Sequence, residues 1–317
     1  MKVLVPTTIQ LDRLQPHEFV EYDVRAAIPK EHRDAEVLVV WQNPVDALDR
    51  AATELNGLKL VQTLASGADT ILDAGFVPSA AVCSGRSLHD GPVAEHVLAL
   101  TLATVRRLDR LIDAQRRMHW DEEYMREQTA EGSRGLFTLD RAKVTIWGFG
   151  SIAARLAPLL TQLGADVEGI GRRTEFKNGY RITASTDAPG LLDSTDVLIS
   201  LVPAGDPNTG LFGRTIFRAL KPGAIFINAG RGTTVDESAL LEALRSGVLR
   251  AAALDVVVTE PLPADSPLWG TENLIITPHV AGNRPQAASR LLERNLDALR
   301  TGAPLLNEVR PASTARV

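Results

Sequence analysis

The chain has 317 residues, of which 44% are hydrophobic and 23% charged, and its formal net charge at pH 7 is −5. This is the composition of a globular protein of about two domains, and the negative charge argues against nucleic acid as a partner, because phosphate contacts need a basic face. The lone Cys83 excludes an internal disulfide and a thiolate metal site, and no segment approaches the length of a membrane span. We therefore expect a cytoplasmic protein that binds no metal and no membrane.

Short β-prone runs organise the first block of the chain. They lie at 1–7, 35–41, 58–64 and 80–85. Polar or helical segments separate them, which is typical of strands in a parallel sheet. The first run predicts a strand rather than a signal peptide, because it is short and polar residues follow it at once.

Residues 91–117 predict one long helix that joins the first block to a second. Apolar residues recur at helical spacing along one side of this segment. They are Val93, Val97, Leu100, Leu108 and Ile112.

The second block contains a strand, a glycine-rich turn and a helix in succession. Residues 144–147 form a short apolar run suited to a buried parallel strand. The turn and helix start that follow are Gly148, Phe149, Gly150, Ser151 and Ile152. Gly148 allows a tight turn, and Gly150 lets backbone N–H groups approach a pyrophosphate at the helix N-terminus. A glycine-rich turn without a ligand is the alternative, but the strand–loop–helix context favours a dinucleotide site.

The end of the next strand bears on which dinucleotide binds. A site for NAD usually places Asp or Glu about 20 residues beyond the glycines, where the carboxylate accepts hydrogen bonds from the ribose. Arg172 and Arg173 stand in that place here. Guanidinium groups match a 2′-phosphate in charge and geometry, so we predict that NADP(H) is favoured over NAD(H). The alternative is that both arginines only point into water.

The rest of the second block continues the alternation of strands and helices. Further β-prone runs lie at 196–203, 223–230, 251–258 and 273–279, helical patterns at 236–246 and 284–300, and a tail with expected loose order at 311–317. The alternation predicts an α/β fold with two doubly wound parallel sheets, a Rossmann-type nucleotide domain and a flavodoxin-like substrate domain. The first block lacks a glycine-rich phosphate loop, which makes it the predicted substrate domain.

Three polar residues follow the ends of successive predicted strands. Arg231, Glu260 and His279 would meet at one sheet edge, where such sheets bind ligands. This set suits the reduction of a 2-oxo acid. The Arg fixes the carboxylate and polarises the carbonyl, the His donates a proton, and the Glu orients the imidazole and favours its protonated form.

The order and spacing of five motifs resemble those of the D-specific 2-hydroxyacid dehydrogenase family, in particular its NADP-using glyoxylate/hydroxypyruvate reductases. The motifs are Gly-Pro-Val-Ala-Glu-His at 91–96, the glycine loop at 148–153, Asn-Ala-Gly-Arg-Gly at 228–232, an Asp followed by Glu-Pro within 255–261, and Thr-Pro-His-Val-Ala-Gly at 277–282. The resemblance covers nearly the whole chain. It implies reduction of a small 2-oxo acid to the D-2-hydroxy acid by hydride transfer from NAD(P)H.

The resemblance also implies a domain organisation. The substrate domain would comprise 1–92 and 285–317, and the dinucleotide-binding domain would comprise 93–284. Substrate would bind in the cleft between them, and a homodimer would be built on the nucleotide domain.

Site residues follow from the resemblance as well. It implies that Arg231 and His279 contact both substrate and cofactor, and that Glu260 pairs with His279. Backbone N–H groups of Ser66, Gly67 and Ala68 would hold the substrate carboxylate. The implied cofactor contacts beyond the glycine loop and the arginine pair are Val202, Pro203, Ala229, Gly230, Arg231, Asp255, His279 and Gly282, with Asp255 on the nicotinamide carboxamide.

The choice of substrate and reaction leaves several alternatives. Residues 39–45 offer no Arg for a substrate phosphate, which favours a small unphosphorylated acid such as glyoxylate or hydroxypyruvate. A formate-, phosphonate- or phosphoglycerate-type dehydrogenase on the same fold is one alternative. A non-catalytic dinucleotide-sensing corepressor is another, and the intact set of Arg231, Glu260 and His279 argues against it.

Overall fold

The structure is a computed structural model that describes residues 1–12, 16–130 and 136–310. It divides into two units, one of Met1–His89 with the residues from Arg284 onward, and one of Asp90–Asn283. The tail at 311–317 lies outside the described residues. No described helix is both long and apolar enough to cross a membrane. Substrate binding by the first unit stays a prediction.

The strands of the described residues alternate with helices along most of the chain. In chain order the strands are β1 (Lys2–Pro6), β2 (Glu18–Tyr22), β3 (Val37–Val40), β4 (Leu60–Thr63), β5 (Ala81–Cys83), β6 (Lys143–Trp147), β7 (Asp166–Gly171), β8 (Glu175–Lys177), β9 (Tyr180–Ala184), β10 (Val197–Ser200), β11 (Ala224–Asn228), β12 (Leu249–Leu254), β13 (Leu274–Ile276) and β14 (Glu308–Arg310). The helices are α1 (Val45–Glu54), α2 (Asp69–Asp73), α3 (Asp90–Val105), α4 (Leu108–Arg116), α5 (Glu122–Thr129), α6 (Ser151–Gln162), α7 (Pro189–Leu192), α8 (Arg214–Ala219), α9 (Glu237–Arg245) and α10 (Ala288–Thr301).

The first unit is built on a six-stranded sheet with the order β2-β1-β3-β4-β5-β14. The first five strands pair in parallel and β14 closes one edge antiparallel to β5. Leu48 of α1 and Leu55, which follows this helix, pack on one face of the sheet, and Leu292 and Leu296 of α10 pack on the other. Because both faces are covered, the central strand β3 is a continuous buried apolar run. The order of the parallel strands is the flavodoxin-like one.

The second unit is built on an eight-stranded sheet with the order β8-β9-β7-β6-β10-β11-β12-β13. All pairs are parallel except the edge pair β8–β9. Leu156 of α6 and Val97 of α3 lie in the apolar core on one face, and Phe217 of α8 and Leu240 of α9 lie in the core on the other. The six neighbouring strands β9-β7-β6-β10-β11-β12 have the Rossmann order. The order in which the chain adds strands reverses between β6 and β10. The predicted fold class is confirmed.

The prediction of one helix over 91–117 is wrong. The segment forms α3 and α4, and the chain breaks at Arg107, which has a left-handed φ of 53°. The Arg107 guanidinium donates hydrogen bonds to Asp109 at 3.1 Å and to Asn273 at 2.5 Å, and these contacts hold the break. Leu108 and Ile112 of α4 are 42% and 46% exposed, so they do not continue the buried face of α3. Both helices belong to the second unit, and α3 begins directly after the first unit's His89.

The edges of both sheets contain elements that the sequence patterns did not predict. β2, the β8–β9 hairpin and β14 are short and half-exposed, so their apolar residues show no continuous run. The final helix begins at Ala288 rather than at residue 284. Cys83 lies buried in β5, and burial raises the pKa of its thiol to about 12.

Candidate active site

The carboxyl ends of β6, β10, β11, β12 and β13 lie along one edge of the second unit's sheet, because these strands are parallel neighbours. In a sheet of this order, ligands bind at that edge, next to the point where the strand order reverses. The glycine loop follows β6, and the residues around Arg231, Asp255 and His279 follow β11, β12 and β13. The fold therefore brings the predicted site residues of this unit to one edge.

The glycine loop has the backbone geometry of a dinucleotide-binding turn. Gly148 has a φ of 100°, and a Cβ there would lie 2.6 Å from the carbonyl oxygen of Leu201. Gly150 precedes α6, and a Cβ there would meet no atom within 4 Å. The space beside Gly150 at the start of a twelve-residue helix fits a pyrophosphate held by backbone N–H groups.

The loops at this edge touch through their backbones. A Cβ on Gly230 would lie 2.5 Å from the carbonyl oxygen of Val202, and a Cβ on Gly232 would lie 1.9 Å from that of Val257. Together with the contact of Gly148, these approaches link the loops after β6, β10, β11 and β12. Glycine is required at each position because no side chain fits there.

Arg231 has an uncompensated positive charge at the end of β11. The amide of Asn228 donates to the carbonyl oxygen of Arg231 at 3.1 Å, and Thr234 donates its hydroxyl to the same oxygen at 2.6 Å, so the backbone of the turn is fixed. One guanidinium nitrogen donates to the carbonyl oxygen of Gly230 at 2.8 Å. Within residues 1–12, 16–130 and 136–310, Arg231 forms no ion pair. The guanidinium is therefore available for an anionic ligand.

His279 and Glu260 form a pair at the same edge. Nδ1 of His279 lies 2.7 Å from Oε2 of Glu260, and the backbone N–H of Val257 donates to Oε1 at 3.2 Å. The two side chains are 49% and 37% exposed. A carboxylate that accepts from Nδ1 fixes the ring's orientation and leaves Nε2 as the atom that can exchange a proton with a ligand.

The backbone of His279 is strained. Its φ is 52°, in the left-handed region that few residues other than Gly adopt. Its N–H donates to the carbonyl oxygen of Asp255 at 2.8 Å. The Asp255 carboxylate is buried and accepts hydrogen bonds from Thr277, Val280 and Ala281. The strained turn is thus held by contacts to a single aspartate.

Positive charge collects beside the glycine loop. Arg172 and Arg173 are exposed after β7, and Arg173 lies 3.5 Å from Glu175 as a surface ion pair. Lys177 of β8 donates its ammonium group to the carbonyl oxygen of Phe149 at 3.2 Å. The sequence analysis did not find Lys177, because its position depends on the hairpin that folds β8 back along β9.

The predicted carboxylate-binding turn of the first unit follows β4. Ala65 donates its N–H to the hydroxyl of Thr63 at 3.1 Å and accepts a hydrogen bond from the N–H of Gly85 at 2.7 Å. Ser66 at the turn is exposed. These contacts order the turn, and the binding role of Ser66, Gly67 and Ala68 stays a prediction.

Comparison with known proteins identifies the family to which this chain belongs. The pattern of the family described as "D-isomer specific 2-hydroxyacid dehydrogenase, NAD binding domain" matches residues 98–281, more than half of the chain. A glyoxylate/hydroxypyruvate reductase A of Serratia proteamaculans is 32% identical over 288 residues, which cover 88% of this chain and 87% of the relative.

Solved structures give the same result. A D-isomer specific 2-hydroxyacid dehydrogenase family protein of Aeromonas salmonicida aligns with a TM-score of 0.80 at 27% identity, covering 97% of this chain and 98% of that protein. A D-isomer specific 2-hydroxyacid dehydrogenase of Xanthobacter autotrophicus in complex with NADPH aligns with a TM-score of 0.78 at 27% identity, covering 97% of each chain.

The chain belongs to the D-isomer specific 2-hydroxyacid dehydrogenase family. The predictions of the family, of a Rossmann-type NAD(P)-binding domain and of an oxidoreductase are confirmed. The roles of individual residues are not tested by these comparisons and stay predictions.

The two glycines of the loop are expected to respond differently to alanine. Gly148→Ala places a methyl group against the Leu201 backbone at a positive φ, so the free energy of unfolding should fall by about 1–3 kcal/mol in a denaturant titration. Gly150→Ala fills open space at an ordinary φ, so stability should change by less than about 0.5 kcal/mol. Its methyl group should instead weaken binding of NADH or NADPH about tenfold, measured by nucleotide fluorescence. Wild-type affinity in Gly150→Ala would contradict the close approach of the pyrophosphate.

Proposed function

We propose that this enzyme reduces a small unphosphorylated 2-oxo acid to the D-2-hydroxy acid, with NADPH as the preferred reductant. The observation that supports this most strongly is the 2.7 Å pair of His279 and Glu260, on the same sheet edge as the glycine loop and as Arg231, which has no ion pair among the described residues. A proton donor, a cationic anchor and a dinucleotide turn are the groups that this reaction needs. The Serratia relative is a glyoxylate/hydroxypyruvate reductase A, which supports the substrate class.

Each of the site residues has a different role in carbonyl reduction. Arg231 holds the substrate carboxylate and polarises the carbonyl, since its planar fork can bind both oxygens. A nicotinamide cofactor held at the glycine loop would supply the hydride. His279 gives its Nε2 proton to the carbonyl oxygen as the alkoxide develops, and Glu260 stabilises the imidazolium before that transfer. The turn of Ser66, Gly67 and Ala68 adds backbone N–H donors for the carboxylate.

The preference for NADPH rests on three cations. Arg172 forms no ion pair among the described residues, and the pair of Arg173 with Glu175 is exposed and weak. Lys177 adds a third positive charge beside the loop. The Xanthobacter relative binds NADPH, which supports the same preference.

Removing the arginine charges tests the cofactor preference. Each charge-assisted hydrogen bond is worth about 1.5–3 kcal/mol, so Arg172→Ala/Arg173→Ala should weaken NADPH binding at least about tenfold. The affinity for NADH, which lacks the 2′-phosphate, should change little. Fluorescence titration with both nucleotides measures this. A wild-type enzyme that used NADH as efficiently as NADPH would disprove the preference.

Changes at His279 and Glu260 test proton transfer. His279→Gln removes the acid and should lower kcat about 10²–10⁴-fold while NADPH still binds. Glu260→Gln replaces the charge that stabilises the imidazolium, so the pH above which reduction fails should move to lower values. Steady-state kinetics of 2-oxo acid reduction, measured from about pH 5 to about pH 10, give both results. An unchanged pH profile in Glu260→Gln would remove Glu260 from the reaction.

Arg231→Lys tests substrate capture. Lysine keeps the charge but lacks the planar fork, so the variant should lose at least about 10²-fold in kcat/KM and still bind NADPH. A panel of 2-oxo acids including glyoxylate and hydroxypyruvate, assayed with NADPH and separately with NADH, identifies the substrate in the wild type. Near-normal kcat/KM in the variant for the best acid would mean that Arg231 does not hold the substrate.

We propose that the enzyme acts as a homodimer through the α4–α5 region. Large apolar side chains are exposed there, with Met118 at 95%, Trp120 at 78% and Met125 at 54%. Exposed apolar clusters of this kind mark protein interfaces. The region belongs to the unit that carries the nucleotide-binding fold, where the family resemblance implies the dimer contact. Cytoplasmic location stays a prediction.

The oligomeric state tests this surface. Wild-type protein should have the mass of two chains in light scattering, and Met118→Glu/Trp120→Glu should have the mass of one, because buried charge opposes association. Phe176→Glu is the control, since Phe176 is 76% exposed on β8 and lies outside this region. A dimer that persists in the double variant would place the interface elsewhere.

A further inference from the structure

The carboxylate of Asp255 is enclosed by groups of its own unit. Its side chain is only 1% exposed. Oδ1 accepts hydrogen bonds from the Thr277 hydroxyl at 2.6 Å and from the Val280 N–H at 3.0 Å, and Oδ2 accepts from the Ala281 N–H at 3.1 Å. Three donors from one turn therefore converge on a single buried charge.

A histidine of α3 extends this hydrogen-bond network. Nε2 of His96, on α3, lies 3.0 Å from the Thr277 hydroxyl oxygen and 3.3 Å from Oδ1 of Asp255. Because the Thr277 hydroxyl donates its only proton to Asp255, its oxygen must accept from His96, so Nε2 of His96 carries a hydrogen. The donors run from His96 to Thr277 to Asp255.

The residues that form these hydrogen bonds with Asp255 flank His279 in the sequence. Thr277 precedes it by two residues, Val280 and Ala281 follow it directly, and its own N–H donates to the Asp255 carbonyl oxygen. A non-glycine residue stays at a φ of 52° only where its surroundings hold it there. The contacts of Asp255 supply that restraint from both sides of His279.

We propose that Asp255, Thr277 and His96 form a positioning network that sets the imidazole of His279 against Glu260. In this assignment Asp255 acts on the reaction through the turn that it holds. The inference rests on the proposed role of His279 as the proton donor. None of the three residues is a catalytic residue in itself.

The Thr277 hydroxyl gives the sharpest test, because valine has nearly the same shape and lacks the hydroxyl. Thr277→Val should lower kcat for 2-oxo acid reduction about 10–100-fold, the cost of a misplaced catalytic group. The KM of the oxo acid and the Kd of NADPH should change by less than about threefold, because the hydroxyl is already engaged by Asp255 and His96. Thr277→Ser should restore kcat.

Thr195→Val is the matched control. Thr195 is buried, whereas Thr277 is half-buried; its hydroxyl donates to the carbonyl oxygen of Leu191 at 3.0 Å, and it precedes β10 at the amino ends of the strands. Its variant should lose thermal stability to the same extent and keep wild-type kcat. Loss of kcat in Thr195→Val, or wild-type kcat in Thr277→Val, would overturn the proposal.

The Asp255→Asn variant and NMR spectroscopy distinguish a positioning role of Asp255 from a role in cofactor binding. If Asp255 mainly bound the cofactor, Asp255→Asn would raise the Kd of NADPH or NADH and keep kcat at saturation, which would overturn the proposal. The Nδ1–H signal of His279 bound to Glu260 should be present in the wild type and Thr277→Ser and be lost in Thr277→Val. The NMR measurement needs no catalytic turnover. If the wild type reduced none of the oxo acids, the proposed function would be refuted, but the spectra would still show whether the positioning network exists.

Discussion

Direct backbone contact between the loops after neighbouring strands is the constraint on which the site depends. Gly148 lies against Leu201, Gly230 against Val202, and Gly232 against Val257, at distances that admit no Cβ. Parallel strands place their ends at one edge, but the glycines let those ends close on each other. The glycine loop, Arg231 and His279 thus lie at the same ends of neighbouring strands. Replacing one of these glycines would push the loops apart.

The charges at this edge have different environments, and burial accounts for the difference. Asp255 is enclosed and its carboxylate is satisfied by three donors, which is how a buried charge becomes tolerable. Glu260 and Arg231 remain partly open to solvent and can respond to a ligand. One carboxylate therefore holds the turn of His279, while the other meets the imidazole itself. This division lets the strained turn stay fixed while the imidazole of His279 remains accessible.

The arginine pair after β7 shows a looser kind of organisation. Arg172 and Arg173 are exposed, and only Lys177 is tied to the glycine loop, through the carbonyl oxygen of Phe149. Exposed cations attract a phosphate through charge at long range and can adjust their side chains on contact. Cofactor preference at such a place depends on charge more than on a preformed pocket, in contrast to the rigid turn around His279.

The sequence by itself determined the features that reside in short segments. The buried strands appear as apolar runs, the dinucleotide turn as Gly148 and Gly150 between a strand and a helix, and the family as five ordered motifs. Local patterns suffice there because each element is dictated by its own side chains. The tertiary structure decided what depends on distant partners. The break at Arg107 is held by Asn273, the half-exposed edge strands form only beside a neighbour, and Asp255 gathers donors from 277–281 and α3. No spacing in the sequence reveals these contacts, because residues far apart along the chain meet only once the sheet has formed.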